Sequence, residues 1–333
     1  MAKLNLFLGD KCNFNCSYCL QSFKEDDYLK DLDVNVDKLV KQLSIEVKER
    51  TINKIAYWGG EPLLYFKLIK EIHEKFKEYG VYFNNVRILT NGSLFTEEIV
   101  EYFNNNNIYV GISIHEGFGT PKWDLIKKLN RWSSIYLYTG NNPDFDILSK
   151  VEMLENYLGT KVSPYLHWVR ATDNCDEKDY FTEDTLLKHR EFLFRLAEER
   201  LNGNEKAYWL FQPHITKMIS KLNQINFNGS LCINNRILTV DIYGNKYNCH
   251  HSPIKENYIG SIIKGDIDLP NTNMKFAKDI QMKYVNTEEC KTCSIRSWCR
   301  GNCYMSNTHD MDCKLQKIKF EVFDYILRNE NQR

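Results

Sequence analysis

Neither sign of charge predominates in this 333-residue sequence: 44 lysines and arginines balance 44 aspartates and glutamates. Without a basic excess there is no global field to draw in polynucleotides or anionic membrane surfaces, so nucleic acid is not an expected partner. Long apolar runs are absent as well. None approaches the roughly 20 residues that cross a bilayer. The amino-terminal stretch MAKLNLFLGDKC holds one short apolar patch, cut by Asn5 and stopped by Asp10, too short for the hydrophobic region of a secretory signal. Internal repeats are lacking, and the asparagine run from Asn104 to Asn107 reads as a loop. These absences predict a cytoplasmic protein without a membrane partner. The length suggests two units, or one large barrel with an appendage.

Eleven cysteines stand out against that background. In a chain with no export signal, an odd number of thiols is not a disulfide framework, because a reducing compartment keeps them free. Metal ligation is the leading explanation. Three cysteines lie within the first 19 residues, Cys175 is isolated, and seven fall between Cys232 and Cys313, which implies two separate metal-bearing regions.

From the start to about residue 168, short β-rich runs alternate with amphipathic stretches. Strands are expected at Leu4 to Leu8, Lys54 to Trp58, Val86 to Thr90, Tyr109 to Ile114, Ile135 to Thr139 and Val162 to Trp168. One helix is expected from Pro62, with Leu64, Leu68, Ile72 and Phe76 on one face and Gly80 as its stop, and another is expected after Thr96. Six β-then-α units predict a parallel sheet with helices outside it, either a barrel or an open doubly wound fold, with chemistry at the carboxyl ends of the strands. After Cys175 the pattern predicts a bridging helix capped by Thr182 and ended by Gly203. Cysteine-rich loops follow from about residue 229, then a last helix from about Lys314 to Arg328. The expected boundaries are therefore 1–178, 179–228 and 229–333.

Three sequence motifs follow strands. Cys12-x3-Cys16-x2-Cys19 comes after the first, Gly59-Gly60-Glu61-Pro62 after the second, and Thr90-Asn91-Gly92 closes the third. Three thiolates from one loop leave one iron of a four-iron cubane without a cysteine, open to another ligand. Zinc is the competing reading, but structural zinc takes four protein ligands and no fourth stands nearby.

With Tyr18 before its last cysteine, this motif resembles the signature of the radical S-adenosylmethionine (SAM) superfamily. The resemblance covers the first half of the chain and implies an α/β fold with a six-stranded partial (β/α)6 TIM-type barrel. It also implies a 4Fe-4S cluster on Cys12, Cys16 and Cys19 whose open iron chelates the amino and carboxylate groups of SAM. Gly59, Gly60 and Glu61 look like the motif that meets the methionine ammonium, although GGEP alone is equally an ordinary turn before a helix. Ser113 resembles the ribose-contacting position, and Thr90 and Asn91 are candidates to line the same pocket. His115, where relatives often carry Asp, is open between a ribose contact, a substrate-facing residue and a satisfied loop histidine.

The second region, Cys290-x2-Cys293-x5-Cys299-x3-Cys303 with Cys313 beyond, and Cys232-x11-Gly244-x4-Cys249 upstream, is similar to the SPASM domain, a small cysteine-rich α+β unit. That resemblance implies two auxiliary 4Fe-4S clusters, one on Cys290, Cys293, Cys299 and Cys313. The other takes Cys232, Cys249 and Cys303 and is one ligand short; substrate, water, Asp241, His250 or His251 are candidates for the gap. Gly244 in Asp-Ile-Tyr-Gly-Asn-Lys reads as a hairpin turn. His250 stands where anaerobic sulfatase maturases carry an Asp base, and an imidazole there can take a proton near neutral pH. Cys175 fits neither pattern: a lone cysteine is ordinarily inert and buried, and its functional alternative is hydrogen-atom donation.

The resemblance implies reductive cleavage of SAM to a 5'-deoxyadenosyl radical, fed by a flavodoxin- or ferredoxin-type donor, followed by oxidative modification of a peptide or protein. Crosslinking in ribosomal peptide maturation is the first expectation, with leader recognition left to a separate protein because the barrel begins close to Met1. Oxidation or rearrangement of a small molecule or nucleotide derivative is the alternative.

Overall fold

The computed structural model describes residues 3–20, 34–114, 121–142, 147–170, 172, 175–222, 237–247, 249, 258–263, 282–303 and 305–330. In chain order the elements are β1 (Lys3–Phe7), α1 (Val36–Glu49), β2 (Lys54–Trp58), α2 (Phe66–Glu78), β3 (Asn85–Thr90), α3 (Glu97–Asn105), β4 (Tyr109–Ile114), α4 (Trp123–Ile126), β5 (Trp132–Tyr138), α5 (Ile147–Leu158) and β6 (Tyr165–Trp168). There follow α6 (Glu183–Leu201), α7 (Glu205–Leu222), β7 (Ile237–Asp241), β8 (Asn245–Tyr247), β9 (Tyr258–Ser261), α8 (Glu288–Thr292), α9 (Arg296–Cys299) and α10 (His309–Glu330). All six expected strands are present.

Two compact units divide the chain. The first comprises Met1–Ser113, Gly119–Trp132 and Cys232–Ile280. Within it β1 pairs in parallel with β2, β2 with β3, and β3 with β4. The register aligns Leu4 with Ile55 and Ile55 with Val86, and Leu6 with Tyr57 and Tyr57 with Ile88, all buried. Alternate residues of each strand therefore supply one continuous apolar face. The helices carry matching stripes: Leu39, Val40, Leu43 and Val47 on α1, and Ile99, Val100 and Phe103 on α3.

The other edge of β1 was not foreseen. There β7 adds in parallel, Leu4 opposite Leu238 and Phe7 opposite Asp241, and an antiparallel turn through β8 and β9 extends the ladder. Gly244 makes that turn as expected, at φ +82°.

Several helix expectations are corrected. Pro62–Tyr65 is a 3-10 turn, so α2 starts at Phe66. A 3-10 turn takes three residues rather than 3.6, which shifts the phase: Leu64 is 47% exposed and the buried stripe is Phe66, Ile69, Ile72 and Phe76. The first half of the asparagine run closes α3, and only Asn107 turns left-handed, at φ +52°.

The second unit comprises Ile114–Phe118, Ser133–Leu231 and Gln281–Arg333. There β5 and β6 pair in parallel. The expected bridging helix is α6, which ends before Gly203 (φ +90°), and a second helix that was not expected, α7, follows it. Thr182 caps α6 as expected, its hydroxyl accepting from Thr185 N. Pro213 lies inside α7 and has no N–H for the carbonyl of Trp209, which accepts the Ser163 hydroxyl instead. Buried Arg200 ties three helices together: it donates to Glu330 Oε1 on α10 at 2.6 Å, and to the Tyr208 carbonyl and Gln212 Oε1 on α7.

Candidate cofactor and cluster site

In the first unit, three carboxyl-terminal strand ends meet. After β1 the chain runs through Gly9, Asp10 and Lys11 into Cys12, and after β2 it runs through Gly59, Gly60 and Glu61. The two loops lie backbone to backbone, with Gly60 N donating to Gly9 O and Glu61 N to Lys11 O, both at 2.9 Å. The glycines are there because nothing larger fits. A Cβ on Gly59 would stand 2.6 Å from Gly9 O, and one on Gly60 would stand 2.5 Å from Lys11 O and closer still to Asp10 O. Tyr65 braces the same loop, its hydroxyl accepting from Lys11 N.

The Glu61 carboxylate, 1% exposed, turns inward. Oε1 accepts from Leu63 N at 2.9 Å and from the Thr90 hydroxyl at 2.6 Å, and Oε2 accepts from Asn91 N at 2.9 Å. Burial raises its pKa, and the three donors work against that shift. Thr90 and Asn91, the residues expected in the cofactor pocket, are thus buried and fastened to Glu61. Ser113 is half-buried in β4. His115, His250 and Cys232 lie outside the described residues.

None of Cys12, Cys16 and Cys19 is in a disulfide. Burial first, then the neighbouring Cys19 and Cys12, pushes the Cys16 pKa up to about 11, and burial raises that of Cys12. Cys19 N closes on Cys16 O at 3.1 Å, and Tyr18 beside it is buried. Three cysteines on one short loop fit a cationic iron-sulfur core, which would be ligated by their thiolates, offset the repulsion among them and release the thiol protons to solvent.

In the second unit Cys290 sits in α8, where Thr287 caps the helix by accepting from Cys290 N, and Cys293 N returns to Cys290 O. Cys299 ends α9 and Cys313 lies in the second turn of α10. The Cys313 pKa is pushed up to about 12, by burial first and then by Cys299 and Cys290. Three of the four cysteines expected on one auxiliary cluster are therefore neighbours, and Cys293 adjoins them through Cys290.

Between Cys299 and Cys303, all three residues are left-handed: Arg300 at φ +57°, Gly301 at +78° and Asn302 at +60°. Two of these lack glycine's freedom, each at a cost of about 1–2 kcal/mol. His309 Nε2 stands 3.5 Å from Cys313 Sγ, with its ring stacked on Tyr284 at 3.5 Å.

The expected set of Cys232, Cys249 and Cys303 is divided between the units, with Cys249 buried in the first and Cys303 in the second. Asp241, a candidate for its missing ligand, is fully occupied. Its carboxylate accepts from Tyr243 N, Asn245 N, Asn245 Nδ2 and the Tyr247 hydroxyl, all within 2.9 Å, and so shapes the β7–β8 turn. Cys175 is buried, and burial first, then Asp179, pushes its pKa up to about 11, so it is held as a thiol. Among the described residues no three His, Cys, Asp or Glu side chains converge on a point as the ligands of a single ion do.

Sequence reasoning missed Asn13, Ser93, Tyr65 and His309, none of which belongs to a ligand spacing. Only Asn13, inside the first cysteine motif, gave any signal.

Residues 6–154 match the Radical SAM superfamily. The chain is 23% identical to the radical SAM cyclopropyl synthase TigE of Paramaledivibacter caminithermalis over 90% of this chain and 67% of that protein. It is 20% identical to the serine-type anaerobic sulfatase-maturating enzyme of Klebsiella aerogenes, over 89% of this chain and 78% of that one. The solved structure of native anSMEcpe with bound AdoMet superposes with a TM-score of 0.73 at 16% identity, covering 99% of this chain and all of that one. The same protein with AdoMet and Kp18Cys peptide bound superposes at 0.68. That likeness matches the parallel α/β architecture to a partial barrel followed by a cysteine-rich carboxyl-terminal region. With its cysteine loop at the end of β1, the chain carries a radical SAM domain over residues 6–154 and is similar to anaerobic sulfatase maturases and peptide-modifying radical SAM enzymes.

Proposed function

We propose that the protein cleaves SAM reductively and uses the resulting radical to modify a peptide or protein oxidatively, with crosslink formation in a ribosomal peptide as the first form to test. The observation that carries this reading is the meeting of the Cys12–Cys19 loop with the Gly59–Glu61 loop through paired backbone hydrogen bonds that only glycine permits.

Cys12, Cys16 and Cys19 would hold a 4Fe-4S cluster by three irons, which when bound supplies the electron that splits SAM into methionine and a 5'-deoxyadenosyl radical. The chain's own residues orient that event. Gly59 and Gly60 offer close-approaching backbone, Tyr18 is a buried side chain within the cysteine loop, and Thr90, Asn91 and Ser113 stand at the strand ends where the nucleoside would lie. Cys290, Cys293, Cys299 and Cys313 would hold one auxiliary 4Fe-4S cluster. Cys232, Cys249 and Cys303 would hold a second with an open position, and a substrate radical's electron needs such an acceptor for net oxidation. His250, next to Cys249, and His115, after β4, are the proposed proton-handling and substrate-facing residues. Cys175, kept protonated by its surroundings, is suited to hydrogen-atom donation rather than thiolate chemistry.

Support for a peptide substrate comes from the similarity to a sulfatase-maturating enzyme and to a protein solved with a peptide bound. The reductant proposed is a flavodoxin- or ferredoxin-type donor, with a separate leader-binding protein where the peptide has a leader. The test is anaerobic incubation of the reconstituted protein with SAM, reductant and short precursor peptides encoded beside its gene, followed by mass spectrometry. A loss of two hydrogens from one peptide is the expected result, and 5'-deoxyadenosine without a mass change in any peptide would contradict the substrate class.

A further inference from the structure

We propose that Asn13, Asn91 and Ser93 form a lock that sets the cysteine loop in register with the cofactor-binding end of β3, with the Glu61 carboxylate as its anchor. The inference rests on the reading that Cys12, Cys16 and Cys19 hold the SAM-binding cluster, and it assigns positioning roles to residues outside every cysteine spacing.

Each bond has a direction fixed by a backbone N–H, which can only donate. Ser93 N donates to Asn91 Oδ1 at 3.0 Å, and the Ser93 hydroxyl donates to the same oxygen at 2.7 Å. Asn91 is thereby left to point its Nδ2 at Asn13 Oδ1, 3.0 Å away. The Asn13 amide must then present its own Nδ2 outward, and it donates to Ser93 Oγ at 2.9 Å. The three side chains close a ring spanning the middle of the cysteine loop and the turn after β3.

A second set of bonds holds that ring in place. Gly92 N donates to Thr90 Oγ1 at 3.0 Å, so the Thr90 hydroxyl proton is directed to Glu61 Oε1, while Asn91 N donates to Glu61 Oε2. Every partner of the carboxylate is a donor, so only an acceptor on both oxygens satisfies the site. Glu61 therefore works inward, as a support for Thr90 and Asn91. Contacts to a methionine ammonium from this loop fall to its backbone. Glu61, Thr90 and Asn91 are buried, so this anchor is stiff, because each group left unpaired there is costly; Asn13 is exposed and Ser93 half-buried, so the ring reaches from that anchor to the surface of the cysteine loop.

The two loops must be fixed relative to each other because SAM has to reach the open iron and the β3 end at once, and small misplacements of reacting groups are expensive. Asn13 and Ser93 touch neither group in this scheme. They act through the loop, as outer partners orient metal ligands.

The test uses the reconstituted full chain and its Asn13→Ala, Ser93→Ala, Asn13→Ala/Ser93→Ala and Asn13→Asp variants. Iron and sulfide content, the SAM dissociation constant by equilibrium dialysis, and the change in the reduced cluster's EPR spectrum on adding SAM are compared. The lock predicts unchanged iron, SAM affinity weaker by on the order of tenfold in Asn13→Ala, as for one to two lost hydrogen bonds, and a diminished SAM-dependent spectral change. The double variant should be no worse than Asn13→Ala alone, since both break one ring. Asn13→Asp should recover part of the affinity, because its carboxylate still accepts from Asn91 Nδ2. Wild-type affinity and spectrum in Asn13→Ala would overturn the proposal. So would cluster loss in Asn13→Ala with Ser93→Ala unaffected, which would place the role of Asn13 outside the ring. Absence of a cluster or of SAM binding in the unaltered protein would instead refute the functional reading itself.

Discussion

Replacing Gly60 by alanine adds one methyl group at the place where the cysteine loop and the β2 loop are closest. The new Cβ would sit 2.5 Å from Lys11 O and nearer still to Asp10 O, both backbone atoms that no side-chain rotation can move aside. Relief requires the loops to separate, and separation breaks the Gly60 N to Gly9 O and Glu61 N to Lys11 O bonds. Overpacking of this kind costs about 1–3 kcal/mol and each of the two lost bonds about 1 kcal/mol, so the site loses roughly 3–5 kcal/mol of local order. Gly80→Ala is the control, since nothing lies within 4 Å of its Cβ and only the left-handed φ of +65° opposes it, at about 1–2 kcal/mol. Equilibrium dialysis with SAM and anaerobic guanidinium unfolding separate the two. Gly60→Ala should bind SAM at least about tenfold more weakly, whereas Gly80→Ala should bind normally and lose only stability. Normal SAM binding by Gly60→Ala would refute the close-approach reasoning.

Acid stability follows from histidines buried in neutral form. Burial, the largest cause for each, depresses the His73 pKa to about 4 and that of His214 well below its ordinary value. The unfolded chain therefore binds more protons than the folded one below pH 6.5, and stability present above that value is lost as pH falls towards the folded values. His73 contributes a loss of about 1.4 kcal/mol between neutral pH and pH 5.5, and His214 acts in the same direction; guanidinium midpoints at the two pH values measure it, and His73→Gln should flatten the slope. Cys313→Ser should remove about four irons, one auxiliary cluster, and leave formation of 5'-deoxyadenosine without substrate intact, as read by iron analysis and chromatography. His309→Ala should shift an auxiliary cluster to a more negative potential, because a hydrogen bond to a ligating sulfur stabilises its reduced form; an unchanged titration would show that the 3.5 Å contact with Cys313 has no such effect.

Local patterning carried most of the sheet. Strands β1 to β4 are apolar runs bounded by turn residues, and Thr96 and Thr182 mark helix starts by the hydroxyls they lend to the first turn. What local patterning does not encode is pairing between distant segments: nothing in Ile237–Asp241 announces a parallel ladder with Lys3–Phe7. The 3-10 turn at Pro62–Tyr65 hid the true phase of α2, since periodicity assumes one helix type throughout. At the site, cysteine spacing reveals ligands because chemistry fixes their identity and number. Glu61 was legible as part of a motif but not in its orientation, which depends on Thr90 and Asn91 about 30 residues away. Asn13 and Ser93 were missed for the same reason. An amide and a hydroxyl are common surface residues until a fold brings them together.

The most direct measurement of the central claim compares the anaerobically reconstituted protein with a Cys12→Ala/Cys16→Ala/Cys19→Ala variant, both incubated with SAM and a strong reductant and assayed for 5'-deoxyadenosine and iron. The unaltered chain should produce 5'-deoxyadenosine and hold about twelve irons, and the variant should produce none while keeping about eight. Equal 5'-deoxyadenosine from both, or none from an iron-loaded and reduced unaltered chain, would contradict the assignment of radical chemistry to this loop.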